Sequence, residues 1–215
     1  MKKLVVFDLD GTLIDSVPDI ADCLNITLKE YGFATCDYIE VAQMIGNGAR
    51  NLVKSAVKTQ LSDQKIDEIL GAYTKVYASC KNEKTKVYSG IKETLVELKK
   101  RGYELAIFTN KPQVVTENVY ETYFKDFGFY KVVGVSPEVK RKPDPSVVFS
   151  MMQELCVSPE NTYFVGDGEA DAEVAINAGV NGISVLYGYR TKEQLSMVGA
   201  KTFVNSATEL LDVLY

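Results

Sequence analysis

The chain opens on an apolar run, Leu4-Val5-Val6-Phe7, that stops abruptly at Asp8-Leu9-Asp10-Gly11. A short run rich in β-branched residues and closed by a turn signal predicts a buried strand followed by a loop. From Gly90 onward the pattern alternates between helical and extended periods. Apolar Ile91, Leu95 and Leu98 predict a helix over 91–101, with Gly102 as its C-cap. Strands are expected at Tyr103–Phe108, Lys131–Val135, Thr162–Val165, Gly182–Leu186 and near Thr202–Val204. Between them lie helices from Pro112 to about Phe124, from about Pro145 to Cys156 and over 169–178, with a last helix at the C-terminus. Repeated strand–helix units predict an α/β fold, a doubly wound parallel sheet with helices on both faces.

Residues 17–84 break this rhythm. Ile20, Leu24 and Leu28 make one helical stripe, and Ile66, Ile69, Leu70 and Tyr73 make another. The block falls between the first strand and the next strand–helix unit. It reads as an all-helical cap inserted into a core built from residues 1–16 and 85–215.

Composition narrows the function. For 215 residues, surface scaling buries about 70% of the chain's surface on folding, enough for a sizeable core. The net charge is −5, which argues against a nucleic-acid partner. No histidine is present, so histidine bases, Ser-His and Cys-His pairs and histidine zinc sites are excluded. Cys23, Cys36, Cys80 and Cys156 form no CxxC pair and read as reduced structural thiols. No stretch reaches the length of a membrane span, and the Leu4–Phe7 run is too short for a signal peptide. A cytoplasmic protein without a membrane partner is expected; its oligomeric state is left open.

In an open α/β sheet, ligands bind beyond the carboxyl ends of the strands. Asp8, Asp10, Gly11 and Thr12 follow the first strand, and Thr109, Asn110 and Lys111 follow the second. Gly166, Asp167, Gly168, Glu169 and Asp171 follow Thr162–Val165, and Arg141, Lys142 and Asp144 precede the helix near 145. Carboxylates, a hydroxyl, an amide and a lysine are thereby expected at one sheet edge. Oxygen ligands without histidine or thiolate point to Mg²⁺. Mg²⁺ beside lysine and backbone donors points to a phosphate group.

Four segments together resemble the motifs of the haloacid dehalogenase (HAD) superfamily: VVFDLDGTLIDS with Asp8 and Asp10, FTN with Thr109, RKPDP with Lys142, and VGDGEAD with Asp167 and Asp171. The resemblance spans almost the whole chain and implies a Rossmann-like core with a helical cap. It implies Asp8 as a nucleophile that forms an aspartyl-phosphate and Asp10 as general acid and base. Mg²⁺ is implied on Asp8, the Asp10 carbonyl and Asp167, with phosphate held by Thr109, Asn110 and Lys142. Family members often carry Ser or Thr where Gly168 stands, which leaves Glu169 and Asp171 as the groups that could complete the metal's surroundings. Asp10 favours phosphate chemistry over carbon–halogen hydrolysis, because the dehalogenases of the family lack its equivalent.

The cap segment IGNGARNLV (45–53) places Gly46 and Gly48 in a tight turn before a helix. Its amides, Asn47 and Arg50 are candidates to recognise an anionic leaving group. The segment resembles the cap motif of phosphoglycolate phosphatases, which implies a small phosphorylated metabolite, foremost 2-phosphoglycolate, as substrate. A β-phosphoglucomutase-like phosphomutase, a sugar phosphatase and a non-catalytic binding protein on the same fold are the alternatives.

Overall fold

The computed structural model describes residues 2–214. Strand β1 (Lys3–Phe7) leads through a loop to the two-residue strand β2 (Ile14–Asp15). Four helices follow: α1 (Val17–Glu30), α2 (Tyr38–Met44), α3 (Ala49–Ala56) and α4 (Asp63–Ala78). Strand β3 (Lys86–Val87) then returns the chain to α5 (Ile91–Lys100), β4 (Tyr103–Pro112), α6 (Gln113–Tyr123) and β5 (Lys131–Val135). The last third runs α7 (Ser146–Leu155), β6 (Thr162–Gly166), α8 (Glu169–Ala178), β7 (Asn181–Val185), α9 (Lys192–Met197), β8 (Phe203–Val204) and α10 (Leu210–Val213).

Six of these strands form one sheet in the order β5-β4-β1-β6-β7-β8, with every pairing parallel. The order reverses on either side of β1, so a crevice opens where its carboxyl end meets those of β4 and β6. Alternation along β1 explains why the strand must be central. Leu4 and Val6 face one way and pack with Val148, Met151 and Val174 of α7 and α8. Val5 and Phe7 face the other way and pack with Ile91, Leu95, Val119 and Leu210 of α5, α6 and α10. A strand apolar on both faces is stable only when covered on both.

The helices α1 to α4 gather around a separate apolar cluster that includes Ile20, Leu24, Leu28, Val41, Val53, Ile66, Ile69 and Tyr73. Their starts are locally encoded. Pro18 and Asp19 occupy the first turn of α1, Asp37 and Glu40 form a reciprocal capping box on α2, and the Ser62 hydroxyl accepts from the Lys65 amide at α4. Val115 of α6 joins the same cluster, so this helical insert rests on the core.

Some features differ from the sequence reading. β2 and β3 pair antiparallel, Ile14 opposite Val87 and Asp15 opposite Lys86, at the root of the insert. Strands of two residues are too short to show any period. β4 runs on to Pro112, beyond the expected Phe108, with an irregular register after Phe108 that turns Thr109, Asn110 and Lys111 toward the crevice. Helix α9 was not anticipated. Among the described residues no helix is long and apolar enough to cross a membrane.

Candidate active site

The loops after β1, β5 and β6 converge with the carboxyl end of β4, and their polar side chains are buried. Asp8, Asp10, Thr109, Asn110, Lys111, Lys142, Asp167 and Asp171 are each less than a tenth exposed. Glycines make the convergence possible. Gly11 has a positive φ of 84°, and a Cβ there would lie 2.2 Å from Asp167 Oδ2. A Cβ on Gly166 would lie 2.3 Å from the Asp171 carboxyl carbon. No larger residue fits either place without moving a carboxylate.

Asp8, Asp167 and Asp171 present carboxylate oxygens within 4.8 Å of one another. The Lys142 ammonium lies 2.7 Å from Asp8 Oδ1 and donates to Asp171 Oδ1 at 2.6 Å. Asp171 also accepts from the Gly168 amide at 2.9 Å, which fixes its carboxylate at the start of α8. Asp167 accepts from the Tyr189 amide at 2.8 Å and from the Thr12 hydroxyl at 3.2 Å.

The cluster is short of positive charge. Burial pushes the Asp8 carboxyl up to about 6; Lys142 opposes the rise, and Asp171 and Asp10 add to it. Burial, with Asp171 and Asp8 beside it, holds the Asp167 carboxyl well above the ordinary carboxylate range. Burial would lower the Lys142 ammonium, but Asp171 and Asp8 outweigh it and the net shift is upward. Asp8 Oδ1 is off the hydrogen-bond direction of Lys142 and has no hydrogen-bonded partner among the described residues. Three buried carboxylates with a single ammonium among them are a set of hard oxygen donors short of positive charge, a setting that fits Mg²⁺.

Asp10 faces elsewhere. Its Oδ1 accepts from Lys111 Nζ at 2.7 Å and from the Ser16 hydroxyl. Its carboxylate is therefore outside the metal-type cluster, and only its main-chain carbonyl remains for the role the resemblance implied. Thr109 is buried in the cleft wall and its hydroxyl accepts from the Lys111 amide at 3.3 Å. The Asn110 side chain is committed to structure: it accepts from the Lys142 amide at 2.8 Å and donates to the Gly46 carbonyl at 2.9 Å.

Above Asp8 and Asp10 lies a cleft roofed by the insert. Ile20, Ile45, Leu52, Tyr73 and Tyr77 supply its apolar wall, and Gly46, Gly48 and Ala49 its turn. Asn47 and Arg50 do not line it. The Arg50 guanidinium pairs with Asp63 and Asp67 of α4 at 2.8 Å each, on the outside of the insert. Ala49 and Leu52, three residues apart, face the cleft, and Arg50 is turned about 100° around the helix from Ala49. Asn47 is exposed, and its carbonyl accepts from Asn51 and Arg141. Lys111 is the one cation in the lining among the described residues, and it also donates to the Tyr77 hydroxyl. Its position directly after Thr109-Asn110 was the available signal for it. Glu169 does not reach the cluster; its carboxylate accepts from Arg190 Nε at 2.9 and 3.0 Å. Of the two acidic candidates, Asp171 is the one beside Asp8.

The chain is similar to known proteins over most of its length. Residues 5–185 match the model of the haloacid dehalogenase-like hydrolases. A phosphoglycolate phosphatase from Pseudomonas syringae pv. tomato is 37% identical over 194 residues, which cover 88% of this chain and 71% of that protein. One from Colwellia psychrerythraea is 32% identical over 216 residues, covering 98% of this chain and 96% of that protein. The crystal structure of a predicted phosphoglycolate phosphatase from Haemophilus somnus superposes with a TM-score of 0.88 at 27% identity, covering 99% of this chain and 98% of that one. With its four polar segments brought to one crevice of a parallel sheet, the chain belongs to the haloacid dehalogenase-like hydrolase family.

Proposed function

We propose that the protein is a Mg²⁺-dependent phosphatase that hydrolyses a small phosphomonoester through an aspartyl-phosphate on Asp8, with 2-phosphoglycolate as its preferred substrate. The observation that carries the reading is the Asp8 carboxylate. It is buried at the floor of the cleft, its Oδ1 ion-paired with Lys142 at 2.7 Å and its carboxylate grouped with those of Asp167 and Asp171. A carboxylate so placed is suited to attack phosphorus.

In this reading an Asp8 oxygen forms a bond to phosphorus as the bond to the leaving oxygen breaks. Asp10 gives its proton to the leaving alkoxide. Asp10 then takes a proton from water as that water attacks the phosphoryl group, which releases inorganic phosphate and restores Asp8. Thr109 donates its hydroxyl to a phosphoryl oxygen, and Lys142 balances the added charge while Asp171 holds it in place. Asp8, Asp167 and the Asp10 main-chain carbonyl would hold Mg²⁺, which when bound would supply charge neutralisation for the phosphoryl group. The insert acts as a cap over the leaving group.

Substrate choice rests on the cleft. An apolar wall with one lysine suits a short leaving group that carries one negative charge. The names of the relatives from Pseudomonas and Colwellia support the same choice. Steady-state kinetics on 2-phosphoglycolate, glucose 1-phosphate and p-nitrophenyl phosphate test it. The expected order places 2-phosphoglycolate first in kcat/KM. Conversion of β-glucose 1-phosphate to glucose 6-phosphate would replace the reading with a phosphomutase. No phosphate release from any of the three, with Mg²⁺ present, would leave a binding protein. Asp8→Asn is expected to lower turnover at least ~10³-fold, about 4 kcal/mol of transition-state stabilisation.

A further inference from the structure

Arg190 lies in the loop after β7, far in sequence from the insert and outside the four family-like segments. It is 7% exposed, and its guanidinium joins two parts of the molecule. Nε donates to both Glu169 oxygens, at 3.0 and 2.9 Å. Nη1 donates to the Ala42 carbonyl at 3.1 Å, and Nη2 to the carbonyls of Gln43 at 3.2 Å and Ile45 at 2.6 Å. Those carbonyls end α2, where four acceptors have no intrahelical partner and the helix dipole favours a cation. Only the rigid fork of arginine can serve a carboxylate on one side and three carbonyls on the other.

Both ends of this bridge matter. Ile45 begins the turn that roofs the cleft, and Ile45, Gly46 and Gly48 line it. Glu169 follows Asp167 by two residues, and Tyr189, the neighbour of Arg190, donates its amide to Asp167. Two weaker ties hold the same turn: Asn110 Nδ2 to the Gly46 carbonyl at 2.9 Å and Arg141 Nη1 to the Asn47 carbonyl at 3.3 Å.

We infer that Arg190 is a positioning residue that latches the 45–48 turn onto the Asp167 loop and so sets the closed shape of the cleft over the leaving group. It touches neither phosphate nor nucleophile. Its kinetic consequence rests on the phosphatase reading; its structural consequence does not.

Hydrogen exchange on the full-length protein tests the latch directly. The amides of Ile45, Asn51 and Leu52 are hydrogen-bonded around the turn. In Arg190→Ala they should exchange about ten- to a hundredfold faster, the range for loss of a charged hydrogen bond, while amides of β1 and β6 keep their rates. Glu169→Gln, which keeps the size of the side chain and removes the charge that orients Arg190, should give the same pattern more weakly. It serves if Arg190→Ala does not fold. In kinetics, KM for 2-phosphoglycolate should rise about tenfold with kcat changed far less, the mark of lost uniform binding. Inhibition by inorganic phosphate, which would contact only core groups, should not change. Unaltered exchange at the three amides in folded Glu169→Gln and Arg190→Ala would overturn the latch, as would an equal weakening of 2-phosphoglycolate and inorganic phosphate. Faster exchange in a protein that releases no phosphate would support the latch and overturn the proposed reaction instead.

Discussion

Lys111 Nζ donates to Asp10 Oδ1 at 2.7 Å, and the two side chains are only 1% and 10% exposed. The same ammonium donates to the Tyr77 hydroxyl of α4, so one cation serves the core and the insert together. Burial and the nearby Asp10 hold the Tyr77 phenol far above its ordinary range, which keeps it a neutral partner.

Breaking this pair from one side should be expensive. Lys111→Met leaves Asp10 buried without its cation, and such losses cost about 3–5 kcal/mol. The double variant Asp10→Asn/Lys111→Met removes the stranded charge and should recover most of that. Urea denaturation of the single and double variants measures it. Additive losses would mean that the two groups are not coupled in the folded protein.

Arg50 should behave in the opposite way. Its partners Asp63 and Asp67 are 87% and 58% exposed at the side chain, so solvent screens both pairs. Arg50→Ala should change stability little and leave kcat/KM for 2-phosphoglycolate within about threefold of wild type. A tenfold loss confined to that substrate would return Arg50 to the cleft.

The contrast shows what a sequence carries. Asp8, Thr109 and Asp167 were legible because each follows an apolar run read as a strand, and strand ends in such a sheet converge; Lys142 was legible from the RKPDP segment before the helix near 145. Arg50 was misplaced because a glycine turn announces a helix but not its rotation; a single position of difference separates the cleft face from the α4 face. Arg190 was invisible for a different reason. Its acceptors are main-chain carbonyls about 145 residues away, and carbonyls leave no trace in residue identity. Lys111 stood in view beside Thr109, but only the packing of Tyr77 and Asp10 around it shows that its charge is buried.

The cysteines separate by environment. Burial, with Cys80 beside it, pushes the Cys23 thiol up to about 12, and burial also raises Cys36. At pH 8 the thiolate fraction of Cys23 is then about 10⁻⁴, too small for ready attack on a thiol reagent. Cys156 is exposed at the end of α7. A colorimetric disulfide reagent at pH 8 should modify Cys156 in the fast phase and reach Cys23 and Cys36 only on unfolding. Persistence of the full fast phase in Cys156→Ser would contradict this assignment.

The Asp8 cluster should make the metal-free protein less stable than it could be, in a way that pH exposes. The Asp8 carboxyl stands at about 6 in the folded protein, against an ordinary 3.8. Below pH 4 it is protonated in both folded and unfolded chains and carries no penalty. As pH rises from 4 to 6 the unfolded chain releases its proton first, and the folded state loses stability relative to it. Above pH 6 the loss is complete, and at 1.36 kcal/mol per pH unit it approaches about 3 kcal/mol. Asp8→Asn, neutral at every pH, should therefore be the more stable protein in EDTA at pH 8, with the advantage vanishing near pH 4. Lys142 keeps Asp171 at 2.6 Å in that variant, so its ammonium is not stranded. Added Mg²⁺ should reverse the order at pH 8, because a cation that binds only the folded state stabilises wild type by about 2.7 kcal/mol at a hundredfold excess over its dissociation constant. Asp8→Asn, with one anionic ligand removed, should gain much less. Thermal melts of both proteins at pH 4 and 8, with EDTA and with Mg²⁺, contain the whole argument. An Asn advantage that is the same at both pH values would mean that packing, not charge, sets the difference, and an Mg²⁺ shift of equal size in the two proteins would remove Asp8 from the metal site.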